Sequence, residues 1–147
     1  MRKTKKAALI VLSILLIWFA LNLTGFKIGD FTLVVSAFID EPIDVAFFAV
    51  FCVFTFLFIR FEKVGQWLLL LFLVGWAFMQ SSMYFRSAKG IKSYNDFFLN
   101  EGTHRLFTMS DTILIKDTYH IILDVLILAA LAAIAVSIVN IRKCRKY

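Results

Sequence analysis

Four long apolar blocks are the feature that most restricts how this chain of 147 residues can fold. They cover residues 7–23, 43–61, 64–83 and 119–140, and each approaches the ~20 residues that an α-helix needs to cross a bilayer. The blocks are too long and too uniformly apolar to be barrel strands, in which apolar and polar side chains alternate. The sequence therefore predicts one domain, an all-α integral membrane protein with four transmembrane helices in a bundle.

Composition supports this fold class, because 61% of the residues are hydrophobic, against about 45–50% in a typical soluble domain. The formal net charge is +6, yet the basic residues flank the apolar blocks instead of forming one basic face. Such flanking cations are typical of membrane topology and of contact with anionic head groups. We therefore expect the lipid bilayer to be a partner of this chain, and nucleic acid not to be one.

The three connections between the blocks differ in length and composition. Residues 62–63 leave room only for a tight turn, so the second and third helices are expected to form an antiparallel hairpin. Residues 31–38 are apolar but too short to span, and we interpret them as a re-entrant or interfacial helix or as an interrupted extension of the second helix. Residues 84–118 form a long outer loop, in which a capping-box pattern at Ser93 and a stop at Gly102 predict a short surface helix.

The distribution of Lys and Arg predicts the orientation of the helices. Both terminal flanks and the turn between the second and third helices are basic, whereas the loop after the first helix has only Lys27 against several acids. The positive-inside rule then places both termini in the cytoplasm, although the basic residues of loop 84–118 oppose this orientation. The Phe-, Ile- and Lys-rich composition favours a plasma membrane, and specifically a bacterial inner membrane.

With this topology, the polar groups of all four helices fall at the outer end. Asp117, His120 and Asp124 are spaced i, i+3 and i+7, which places them on one helix face. Asp124 lies well inside the fourth block, where an unpaired carboxylate is costly. We therefore expect Asp124 to face the other helices, protonated or paired with His120, with Arg105 or another loop cation as a further partner.

Three hypotheses explain this cluster. It is a structural network that locks the fourth helix to its neighbours, a binding cavity for an ion, solute or lipid group, or a catalytic or metal site. The candidate binding residues are Asp117, His120, Asp124, His104, Arg105 and Asp111.

An enzyme would use His120 and Asp124 as its acid–base candidates. A divalent metal would use Asp117, His120 and Asp124, with His104 and Asp111 available to complete the ligand set.

Motifs that carry chemistry are otherwise missing from the sequence, which has no P-loop, dinucleotide fingerprint or HExxH. No cofactor is predicted, and no nucleophile stands beside the Asp and His residues. We therefore favour a non-enzymatic protein, either an accessory subunit or a small binding or transport unit. Its predicted protein partner is another membrane protein or a second copy of the chain. The alternative is a membrane-embedded enzyme with an Asp/His site at the outer end of the fourth helix.

Overall fold

The computed structural model describes residues 3–38, 41–82, 85, 88–100, 102–107 and 113–143. Within these residues the chain forms five helices and one β-hairpin. The helices are α1 (Lys3–Thr24), α2 (Pro42–Arg60), α3 (Glu62–Ser82), α4 (Ala88–Asn100) and α5 (Thr118–Lys143), and the strands are β1 (Phe26–Ile28) and β2 (Phe31–Val34). The helices α1, α2, α3 and α5 are long and apolar enough to cross a membrane, as the four blocks predict.

The four long helices pack against one another around a shared apolar core. Helix α5 contacts α1 and α3, while α2 contacts α3 and, less extensively, α1. Each helix contributes side chains with almost no exposure, among them Leu12, Phe51, Leu73 and Ile127. The opposite helix faces expose large apolar side chains, among them Ile17, Phe56, Leu71 and Leu128. Exposed apolar surface of this kind is unusual on a soluble monomer and is typical of faces that meet lipid or another protein.

An aromatic cluster joins α1, α2 and α3 in the half of the core nearer the end of α3. The ring centroid of the buried Trp76 lies 4.8 Å from that of Phe19 and 5.0 Å from that of Phe47. Phe51 stacks on Phe72 with 5.6 Å between centroids. Aromatic pairs at such distances contribute about 0.5–1.5 kcal/mol each beyond the burial of their surface. The cluster therefore fixes how three of the long helices meet.

The prediction of a re-entrant or interfacial helix at residues 31–38, or of an extension of α2, is wrong. Strands β1 and β2 pair antiparallel, with Ile28 opposite Phe31 across a turn at Gly29 and Asp30. Gly29 has a φ of +57°, a left-handed conformation that suits the first position of a two-residue hairpin turn and that glycine adopts readily. A short apolar run does not distinguish strand from helix. Here the turn at Gly29 allows the run to pair as a strand of a β-hairpin, so the fold is not all-α.

Helix α4 confirms that the long loop contains a short helix but not its predicted start. It already begins at Ala88, so Ser93 lies inside the helix and is not its N-cap. It ends at Asn100, and Gly102 follows with a φ of +64°, as the stop signal predicts. The segment 84–118 thus contains a helix among its described residues.

A close approach between α2 and α3 leads to the first prediction, that Gly65→Ala destabilises the protein. A Cβ at Gly65 overlaps the backbone of Phe58, which cannot rotate away as a side chain would. Overpacking of this kind costs about 1–3 kcal/mol. Gly75→Ala in the same helix is the matched control, since an added Cβ there meets nothing within 4 Å. Thermal unfolding of the two purified variants tests the prediction, and equal melting temperatures would contradict the close approach.

Candidate functional site

Polar side chains from the long helices converge at one end of the structure, which we call the polar end. It is defined by Asn22, Asp44, Gln80, Lys116 and Asp117. Asn22 near the end of α1 donates from Nδ2 to Asp44 Oδ2 in the first turn of α2, at 2.6 Å. Lys116, just before α5, donates from Nζ to Gln80 Oε1 near the end of α3, at 3.2 Å. The end of α1, the start of α2, the end of α3 and the start of α5 therefore lie together.

Lys116 and Asp124 form an ion pair at the polar end. Lys116 Nζ lies 2.6 Å from Asp124 Oδ2, and the side chains are 1% and 26% exposed. Charge-assisted hydrogen bonds of this length are among the stronger ones in proteins. Asp124 therefore enters the apolar part of α5 as half of a neutral pair, and a lone carboxylate is avoided.

The predicted pairing of Asp124 with His120 is wrong. His120 Nδ1 lies 2.6 Å from Asp117 Oδ1, one turn toward the start of α5. Side chains on a helix lean toward its N-terminus, so the His120 ring lies over the turn that contains Asp117 and away from Asp124. The face predicted to hold one cluster therefore holds two separate contacts, the Asp117–His120 hydrogen bond and the Lys116–Asp124 ion pair, and the loop cation that reaches Asp124 is Lys116.

Asp117 has a structural role that the sequence analysis does not assign to it, because its side chain caps α5. Its Oδ1 accepts the backbone N–H of His120 at 2.9 Å, the hydrogen bond of an N-cap. The negative charge is also favourable beside the positive end of the helix dipole. Since the Asp117 carboxylate accepts, the His120 ring donates from Nδ1.

The two candidate loop residues His104 and Arg105 anchor the loop to the rest of the fold. His104 accepts or donates through Nδ1 with Thr118 Oγ1 at 2.7 Å, and its ring lies 4.9 Å from that of Phe31 in the hairpin. Arg105 donates from Nη2 to the carbonyl oxygen of Asn95 in α4, at 2.7 Å. These contacts connect the loop to β2, α4 and the start of α5.

The structure brings only part of the predicted metal ligand set together. Asp117 and His120 are in contact, whereas Asp124 is paired with Lys116. Asp111 lies outside the described residues. Among the residues that are described, no group of three or more His, Cys, Asp and Glu side chains is placed to hold a metal ion. The divalent-metal hypothesis stays a prediction.

Asn95 and Gln80 belong to the site region, although the sequence analysis does not select them. Asn95 is 1% exposed. Its Nδ2 donates to the carbonyl oxygen of Ile113 at 3.0 Å, and its Oδ1 accepts from the backbone N–H of Ile115 at 3.2 Å. These bonds hold the segment that carries Lys116 against α4. In the sequence, the only signal of this role is the amide of Asn95 within an amphipathic helix. The prediction that the helix begins at Ser93 hides this signal.

A cavity of about 220 Å³ opens between α3 and α5 beside the Lys116–Asp124 pair. It is lined by Ala77, Gln80, Ser81, Asp124, Ile127 and Leu128. The Oδ1 atom of Asp124, which Lys116 does not use, is buried and has no hydrogen-bond partner among the described residues. The Asp124 carboxylate therefore forms part of a mixed polar and apolar wall, and its Oδ1 atom is itself shielded from solvent. We call this space the α3–α5 cavity.

Comparison with protein-family models, with curated proteins and with solved structures found no match for this chain. Function is therefore inferred from the chemistry of the polar end. A buried ion pair beside a cavity can orient a hydrogen-bonding ligand, and a carboxylate-bound imidazole can exchange a proton.

The second prediction concerns the coupling between Lys116 and Asp124. Lys116→Met or Asp124→Leu alone should destabilise the protein by about 3–5 kcal/mol, because each leaves an uncompensated charge in a buried place. The double variant should recover most of that loss, since a buried ion pair replaced by apolar side chains of similar size is often neutral. A double-mutant cycle of unfolding free energies in detergent measures the coupling. Additive effects of the two substitutions would contradict a direct pair.

Proposed function

We propose that this chain is an integral membrane protein that acts as a small, non-enzymatic binding unit through the α3–α5 cavity. The observation that carries the proposal is the Lys116–Asp124 pair beside that cavity. Ionisable groups within spanning segments are rare, and they usually belong to binding or transport pathways. The cavity lies directly beside this pair, and the Asp124 side chain forms part of its wall.

The apolar outer faces of the four long helices support insertion as a transmembrane bundle. Phe78 is 75% exposed and Leu71 is 69% exposed on α3, and Ile17 is 68% exposed on α1. Hydrocarbon solvates such side chains, whereas water does not. Trp67 near the start of α3 is 44% exposed, the position of an aromatic residue at a membrane interface. We therefore propose that the lipid bilayer covers these faces.

The charges at the end opposite the polar end support the proposed orientation. Lys5 near the start of α1 donates from Nζ to the carbonyl oxygen of Ile59 at 3.0 Å and lies 3.8 Å from Glu62. The basic N-terminal flank and the turn with Arg60 and Lys63 therefore lie together. By the positive-inside rule this end is cytoplasmic, and the polar end faces the outside of a plasma membrane. A bacterial inner membrane is the proposed setting.

A second candidate function is supported by the Asp117–His120 pair. A carboxylate hydrogen-bonded to one imidazole nitrogen is an arrangement by which general acid–base sites orient the ring. A membrane-embedded enzyme would then use His120 as its proton carrier. Assembly with another membrane protein, or with a second copy of the chain, also stays a prediction.

The third prediction tests the orientation. In a cysteine-free background, Asp30→Cys in the hairpin turn should react with a membrane-impermeant maleimide on intact cells. Lys63→Cys, in the first turn of α3, should react only after the cells are permeabilised. Both positions are exposed, so the comparison depends on the side of the membrane and not on burial. The opposite pattern of labelling would reverse the proposed topology.

The fourth prediction tests binding at the α3–α5 cavity. The full chain, extracted from membranes and examined by native mass spectrometry, should retain one small molecule. Ala77→Leu should lose it, because the larger side chain fills the cavity and leaves the ion pair in place. Ala49→Leu is the matched control, since Ala49 is exposed on α2 and does not line this cavity. No retained molecule, or equal retention by both variants, would contradict the binding function.

A further inference from the structure

We propose that the end of the bundle opposite the polar end binds the head group of an anionic phospholipid. The binding surface, which we call the basic patch, is formed by Lys3, Lys6, Arg60 and Lys63. The proposal rests on the proposed insertion into a bilayer and goes beyond the α3–α5 cavity, on which it does not depend. Three observations support it, namely the contact that assembles the patch, the charges around it and the apolar surface beside it.

A contact of Lys5 brings two basic segments of the chain into one place. The Lys5 Nζ atom donates to the carbonyl oxygen of Ile59 at 3.0 Å and lies 3.8 Å from Glu62 Oε2. Ile59 is in the last turn of α2, where a cation is favourable beside the negative end of the helix dipole. The first turn of α1 is therefore held against the turn between α2 and α3. The basic residues on either side of Lys5 thereby come next to those on either side of Glu62.

The charges of the basic patch have little to balance them. All four side chains are exposed, and none of them forms an ion pair with another described residue. Glu62 is the only acid in residues 1–10 and 59–67, and Lys5 already lies beside it. Like charges that are held close together repel one another. An anion bound among them removes that repulsion, so the patch favours an anionic ligand.

The residue types of the basic patch suit a phosphate group. The guanidinium of Arg60 can offer two parallel N–H donors to a phosphate, and the lysine ammonium groups add compact charges. A zwitterionic phospholipid also contains a phosphate, but its head group carries an ammonium that the patch repels. An anionic phospholipid such as phosphatidylglycerol has no such cation. The patch therefore favours the anionic lipid over the zwitterionic one.

Apolar side chains beside the basic patch favour a lipid as the source of the phosphate. Phe61, next to Arg60, is 56% exposed. Val64 and Trp67, in the first two turns of α3, are 58% and 44% exposed. The acyl chains of a phospholipid can cover such a surface, whereas a soluble phosphate compound leaves it in water. In the proposed orientation this lipid belongs to the inner leaflet.

The test is native mass spectrometry of the full chain in a non-ionic detergent. The probes are dioleoylphosphatidylglycerol and dioleoylphosphatidylcholine, which share their tails and differ in head group. A third probe, glycerol 3-phosphate, has the phosphate and no tail. We expect one phosphatidylglycerol per chain, retained at least about tenfold better than either of the other probes.

Two double variants remove charge from the basic patch, one from each segment. Arg60→Gln/Lys63→Gln should reduce the retention of phosphatidylglycerol about tenfold, because two of the four cations are lost. Lys3→Gln/Lys6→Gln should reduce it to a similar extent, since the patch needs both segments. All four positions are exposed, so the melting temperature of the lipid-free protein should stay close to that of the wild type.

Lys89→Gln/Lys92→Gln on α4 is the matched control. These two lysines are exposed as well, and the substitutions remove the same number of charges from a helix outside the basic patch. The control should retain phosphatidylglycerol as the wild type does. An equal loss in the control would overturn the basic patch and indicate attraction by net charge alone.

The other outcomes also decide between alternatives. Equal retention of phosphatidylcholine overturns the anionic head group, and retention of no probe overturns the site altogether. Binding of glycerol 3-phosphate as tightly as phosphatidylglycerol overturns the lipid and indicates a soluble phosphate compound. None of these results bears on the α3–α5 cavity, which Ala77→Leu tests separately, so the failure of one proposal is distinguishable from the failure of the other.

Discussion

The ion pair between Lys116 and Asp124 connects the parts of the molecule that form the polar end. Lys116 lies in the segment before α5 and bonds Gln80 of α3 as well as Asp124 of α5, so three stretches of chain meet at one ammonium group. The pair exists because each charge is too costly to bury alone. This pair holds the segment before α5 against α3 and α5. The α3–α5 cavity lies directly beside the pair.

The remaining polar contacts at this end each join or stabilise different helices. Asn22 and Asp44 join α1 to α2, while Asp117 caps α5 and holds the ring of His120. Trp18 adds a contact between α1 and α5, since its ring stacks on Tyr119 at 5.5 Å and its Nε1 donates to the Tyr119 carbonyl oxygen. Toward the opposite end, the polar contacts between long helices among the described residues centre on Lys5, which bonds the carbonyl oxygen of Ile59 and lies 3.8 Å from Glu62. The larger network of polar side chains lies where the segment before α5 meets α3 and α5.

This asymmetry gives the proposed function its physical basis. Hydrogen bonds in a dry environment are strong. Asp124 forms part of the wall of the α3–α5 cavity while Lys116 holds its Oδ2 atom. The same pair that stabilises the fold thus also lies where the proposed ligand would bind.

The sequence by itself determined the four long helices, because hydrophobic length is a local property that each block carries alone. It also placed His120 and Asp124 on α5, with Asp117 directly before it, and the stop of α4 before Gly102, since helix spacing and glycine conformation are local too. Only the tertiary structure decided that Asp124 pairs with Lys116 and that residues 31–34 pair as a strand with β1. Both pairings depend on contacts that residue spacing within one helix or strand does not specify. Burial then favours the partner that satisfies each polar group.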